Sequence, residues 1–166
     1  MLTLRSLAVL AALTLAAPAA LAEGIEVHDA YAIASRPGAP SGAAFMVIHN
    51  HGGPPDRLIA VRSEVAARTE LHTHVQGEGG MMQMVHVTEG WPLPTDGEIL
   101  LERGGNHVMF MGISEPFTDG MEIDLTLIFE IAGDVSVSVP VDLSRIGGEM
   151  GEGAMDHGAM GHGSGG

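Results

Sequence analysis

Three features of the sequence predict an all-β sandwich or barrel. Short apolar runs recur between clusters of Gly, Pro, Asn and Asp. Two of those runs alternate cleanly. Met121, Ile123, Leu125 and Leu127 share one face of "MEIDLTLIF" (121–129), and Val135, Val137, Val139 and Val141 share one face of "VSVSVPVDL" (135–143). No segment holds a helical period over a useful length.

In chain order, the first 22 residues stand apart from the fold. "MLTLRSLAVLAALTLAAPAALA" has one basic residue, Arg5, then an apolar run of Leu, Ala and Val ended by Pro18. Ala20-Leu21-Ala22 is a small-x-small cleavage site before Glu23, so the segment reads as a secretory signal cleaved after Ala22. No second run is long enough to span a bilayer, so the mature chain is expected without stable membrane insertion. Residues 23–146 suit one domain with a modest core. Its strands are expected at 25–35, 42–50, 57–65, 68–75, 81–87, 98–102, 106–113, 121–129 and 135–143, with "HGGPPD" (51–56) and "EGWPLP" (89–94) as loops. Pro140 cannot donate a ladder hydrogen bond, so the last strand is expected at a sheet edge or locally broken there. After Ile146 the composition turns Gly-rich, and 147–166 reads as a flexible tail.

Charge and composition exclude several functions. The net charge of −14 argues against nucleic acid and anionic membrane surfaces as partners, and favours cations. The chain contains no Cys. That removes disulfides, thiol nucleophiles, zinc–thiolate sites and the thiolate of blue-copper electron carriers. Sulfur comes instead from 11 Met, gathered at 81–84, 109–111 and 150–160, with Met46 and Met121 as singles.

The stretch "GGNHVMFMGI" places His107, Met109 and Met111 on one strand face. A lone His or Met on an apolar strand is ordinarily a packing residue. An imidazole and a thioether side by side change that reading. "ELHTH" sets His72 and His74 on one face, and "MMQMVH" sets Met82, Met84 and His86 on another. Thioether and imidazole without thiolate suit Cu(I); zinc seldom takes Met, and calcium and magnesium want oxygen. His28 reads as a surface residue, and His49 and His51 as surface polar groups flanking a turn, capable at most of weak metal binding. His86 sits beside the site or simply in the sheet. Trp91 either lids the soft ligands or anchors its loop.

These residues carry a family resemblance. "TELHTHVQGEGGMMQMVHV", a Pro-containing loop and "LLERGGNHVMFMGI", with "GAAFMVIHN…DRLIAVRSEVAARTELH" upstream, resemble the periplasmic copper chaperones called PCuAC over roughly 25–145. The resemblance implies a cupredoxin-like Greek-key β-sandwich or barrel that binds Cu(I) through two His and two Met. Carried over by position, the ligands are His72, Met84, His107 and Met109. Each interval between the first three is one residue longer here than in the family. Both insertions fall in loops, which tolerate them. Met82 therefore remains an alternative to Met84, and His74 to His72.

The tail repeats "GAMDH" (153–157) as "GAMGH" (158–162). Met150, Met155, His157, Met160 and His162 are further ligand candidates, since His-rich tracts bind metal and imidazole also takes Cu(II). The expected function is a periplasmic copper chaperone, not an enzyme. The resemblance implies delivery to a cytochrome c oxidase subunit or its copper-assembly protein. A copper-dependent enzyme or a periplasmic copper-sequestering (resistance) protein is the alternative. An adhesive β domain with incidental Met would bind no stoichiometric Cu(I).

Overall fold

The computed structural model describes residues 24–34, 36 and 38–147. The expected leader, 1–22, and Met150, Met155, His157, Met160 and His162 of the tail lie outside the described residues.

Among the described residues ten strands follow one another: β1 (Ile25–Ala34), β2 (Ser41–Asn50), β3 (Asp56–Arg62), β4 (Ala66–Gln76), β5 (Met82–His86), β6 (Trp91–Leu93), β7 (Glu98–Leu101), β8 (His107–Ile113), β9 (Glu122–Phe129) and β10 (Gly133–Pro140). Short 3-10 turns occupy Glu78–Gly80 and Leu143–Gly147. The strands form two antiparallel sheets. The larger runs β1-β2-β8-β4-β5, with β7 also paired to β2, and the smaller runs β10-β9-β3-β6. The all-β sandwich expected from the sequence is the observed architecture.

Alternation decides what lies between the sheets. Ile123, Leu125, Leu127 and Phe129 of β9 face inward and are buried, as are Ala44, Met46 and Ile48 of β2, Leu71 of β4, and Val108 and Phe110 of β8. Met46 is thus core packing. β10 lies at the edge of the smaller sheet, where the missing N–H of Pro140 costs nothing. One expectation needs correcting. Within "EGWPLP", read as loop, Trp91–Leu93 forms the short strand β6, pairing Leu58↔Trp91 and Asp56↔Leu93. Pro92 hid it, yet Pro suits this strand because β6 is the other edge of that sheet. Gly90 leads into β6 at φ +67°, and a Cβ there would meet the Leu58 carbonyl oxygen at 2.1 Å. Only glycine admits that approach.

Burial also fixes the register of β8. Slipping it by one residue would expose Val108 and Phe110, each of which gains about 1.5–3 kcal/mol from burial. With those two turned inward, His107, Met109 and Met111 must project from the outer face of the larger sheet.

Candidate metal centre

Strand pairing assembles the site on that outer face. His72 of β4 lies opposite His107 of β8 on one side and opposite His86 of β5 on the other. Opposed residues of antiparallel strands point the same way, so three imidazoles form a row across three strands. The ring centroids are 6.0 Å apart for His72–His107 and 5.6 Å for His72–His86. Met109 pairs with Glu70, and Met84 with His74. Each Met is therefore a diagonal neighbour of His72, a separation of roughly 7–8 Å that long side chains can bridge. His72 is the centre of the constellation.

The order of exclusion from water is unusual for such a polar group. His107 is 2% exposed, beside Phe45 at 6.2 Å and His74 at 5.2 Å between ring centroids. Its Nδ1 lies 3.0 Å from the Gly105 carbonyl. A carbonyl only accepts, so Nδ1 carries the proton and Nε2 keeps its lone pair. His72 is oriented differently. Its Nε2 lies 3.0 Å from Glu70 Oε2, while its Nδ1 is buried with no hydrogen-bond partner. The carboxylate assigns the proton to Nε2, leaving the Nδ1 lone pair buried and unused. Hydrogen-bonding one ring nitrogen to a carboxylate or carbonyl is how ligand imidazoles are commonly oriented. The donor set fits a soft ion: two imidazoles, each with one ring nitrogen outside its orienting hydrogen bond, flanked by thioethers.

Electrostatics agree. The hydrogen bond from His72 holds the Glu70 carboxyl below the usual carboxylate range, assisted by His86 and Arg68, while burial works against it. Burial pushes the His107 imidazole below its ordinary value, opposed by its bond to Gly105 and reinforced by His74 and His72.

The sequence candidates fall as follows. His72, Met84, His107 and Met109 share the outer face. Met84 is 46% exposed on edge strand β5, while Met109 is half-buried. Met82 pairs with Gln76, one further step from His72, and is 60% exposed. His74 Nδ1 makes a 3.4 Å contact with the same Gly105 carbonyl. Met111 pairs with Arg68, whose guanidinium approaches its sulfur at 3.7 Å. Trp91 packs against the core as the anchor of β6. Sequence reasoning left the place of His86 open. Its position opposite His72 follows only from the β4–β5 register, which the Gly-rich connection between those strands conceals.

Comparison with known proteins follows the same lines. The family described as "Putative lipoprotein LpqE-like" matches residues 25–141. The "Putative lipoprotein Lxx21020" of Leifsonia xyli subsp. xyli (strain CTCB07) is 31% identical over 124 residues, 75% of this chain and 73% of that one. The copper-bound PCuAC domain from PmoF2 has a TM-score of 0.58 at 25% identity, covering 72% of this chain and 93% of that one. The chain belongs to this LpqE-like, PCuAC-type family. A second PCuAC-type structure, apo-DR1885 from Deinococcus radiodurans, gives a TM-score of 0.59 at 25% identity over 86% of this chain and 95% of its own. Its Cu(I) form gives 0.53 at 27% over 73% and 81%. The cupredoxin-like sandwich expected from the resemblance is therefore the fold of this PCuAC domain.

Burial of His107 generates a pH prediction. Its folded pKa lies below the unfolded imidazole value of about 6.5. Across that interval the unfolded chain binds the extra proton. The stability due to neutral His107 is thus complete above pH ~6.5 and is lost as pH falls through the folded pKa. In a proton NMR titration of the metal-free protein, the His107 ring should change its shift on the acid side of that value. A midpoint at or above it would contradict the neutral, buried assignment.

Proposed function

We propose that this PCuAC domain is an exported copper chaperone, not an enzyme, that carries Cu(I) on His72, Met84, His107 and Met109. One observation carries the reading above the others: the buried, unpartnered Nδ1 of His72 beside the buried imidazole of His107. An unpaired buried polar atom costs about 1–3 kcal/mol. Coordination by a metal removes that penalty. The copper-bound PmoF2 domain and the Cu(I) form of DR1885 support the choice of ion.

Neutral imidazole and thioether ligands hold Cu(I) without an oxidisable thiol and release it to stronger thiolate sites. The proposed recipient is the binuclear copper centre of cytochrome c oxidase, or the copper-assembly protein that serves it. Glu70 beside the row is engaged with His72, which supports an orienting role over that of a catalytic base. We assign 1–22 as a signal removed after Ala22, and 23–146 as the copper-binding domain, in the periplasm. The lipoprotein descriptions of its relatives support export, and no helix among the described residues is long and apolar enough to cross a membrane.

The ligand set is tested by anaerobic competition with a chromophoric Cu(I) chelator. His107→Ala and Met109→Ala should each weaken Cu(I) binding by at least about tenfold, a change that even indirect partners of a metal commonly produce. Met84→Ala should do the same and Met82→Ala should not. Unchanged affinity in both the His107 and Met109 variants, with far-UV circular dichroism intact, would remove the site.

The tail, 147–166, is proposed as a second copper-binding element, with a His two residues after a Met in each repeat. Fixing backbone costs about 1–2 kcal/mol per residue, and the Gly-rich sequence of the tail offers few side chains to offset it, so it should bind more weakly than the sheet face. Tethering offsets part of that through an effective concentration of about millimolar. Deleting 147–166 should lower total copper stoichiometry and leave the tighter Cu(I) event in place. Equal stoichiometry for Cu(I) and Cu(II) in both forms would make the tail a linker.

A further inference from the structure

The outer face of the larger sheet carries a second histidine cluster at its other end. Glu26 and His28 lie two residues apart on β1, and Glu26 pairs with His49 of β2. His49 in turn pairs with Glu98 of β7. His51 follows on the turn after β2, held there by its N–H donating to the Gly24 carbonyl at 2.6 Å. One carboxylate faces two rings: Glu26 Oε1 is 3.4 Å from His28 Nε2, and Oε2 is 3.1 Å from His51 Nε2. Donor atoms of Glu26, His28 and His51 all lie within 4.8 Å of one another. His49 stacks on His51 at 5.5 Å, stands edge-on to His28 at 5.5 Å, and reaches Glu98 at 3.3 Å.

We propose that Glu26, His28 and His51, with His49 and Glu98 beside them, form a second metal site, selective for a divalent borderline ion and Cu(II) above Zn(II). The residues come from three separate stretches of the sequence, 26–28, 49–51 and 98, on three strands and a turn, so their convergence is a product of the fold. Bonds of about 2 Å place the donors around one ion roughly 3–4 Å apart; Glu26 meets His28 at 3.4 Å and His51 at 3.1 Å, and the three donors fall within 4.8 Å of one another. Chemistry selects the ion. The cluster offers imidazole and carboxylate and no sulfur, the opposite balance from the His72 face, so it disfavours Cu(I) and suits Cu(II), Ni(II) or Zn(II). Among divalent ions at an exposed site of adaptable geometry, Cu(II) binds tightest. Two carboxylates on a chain of net charge −14 add attraction for a cation. Phe45, beside His107, and His49 are four residues apart on β2, about 13 Å along the strand. The two sites are therefore separate, and no side chain of the proposed Cu(I) set is used twice.

The test uses the full chain with His157→Ala and His162→Ala, which removes the tail imidazoles without shortening it. Ag(I), a redox-inert stand-in for Cu(I), is added first to fill the soft site. Cu(II) is then titrated and followed by electron paramagnetic resonance. One equivalent should bind with an axial signal showing nitrogen hyperfine structure, and Zn(II) should displace it only in large excess. Adding His28→Ala and His51→Ala, both at exposed positions, should remove that equivalent and leave Ag(I) uptake unchanged. The same Cu(II) equivalent in the double variant, or none in the parent, would overturn the proposal. Failure of Ag(I) to bind would instead count against the His72 face.

Discussion

The pleat of β8 is the constraint on which the rest depends. Val108 and Phe110 are wholly buried between the sheets. In a strand whose side chains alternate, that burial forces His107 and Met109 outward together. The β4–β8 register then lines His72 up with His107, and the β4–β5 register adds His86. No residue of the row needs a special backbone conformation. Hydrophobic burial on one face therefore positions polar donors on the other, without a disulfide to hold them.

The outer face is organised by hydrogen bonds that leave one lone pair free on each central ring. Glu70 takes the proton side of His72, and the Gly105 carbonyl takes that of His107. Both rings are thereby directed before any ion arrives, which reduces the ordering cost of binding. Holding a neutral imidazole at 2% exposure is unfavourable for the protonated form, and the lowered pKa of His107 records it. The thioethers are less constrained, since Met84 stands half exposed on edge strand β5. Two hydrogen-bonded imidazoles are thus flanked by thioethers, one of them standing half exposed at the sheet edge.

Much of this was legible in the sequence. Alternation at 121–129 and 135–143 gave β9 and β10, and Pro140 marked the edge position of β10. The i, i+2 relation of His107 and Met109 was sufficient to place both on one face, and the motif order pointed to the PCuAC fold. Pairing across strands was not legible. Nothing local in "MQMVH" says that His86, not Met84, lies opposite His72, because the preceding Gly-rich connection hides the register. The same limit left His28 unconnected to the turn pair His49 and His51, although β1–β2 pairing gathers them around Glu26. Trp91–Leu93 was missed because Pro92 argues against a strand unless the strand is known to be an edge.

The central claim is that the outer face of β4, β5 and β8 binds one Cu(I) through both nitrogen and sulfur. X-ray absorption at the copper edge, on anaerobic full-length protein loaded with one equivalent of Cu(I), tests it most directly. A shell containing nitrogen scatterers from imidazole together with sulfur scatterers at longer distance is expected, with the sulfur component reduced in Met109→Ala. A first shell of nitrogen and oxygen alone, unchanged by that substitution, would contradict it.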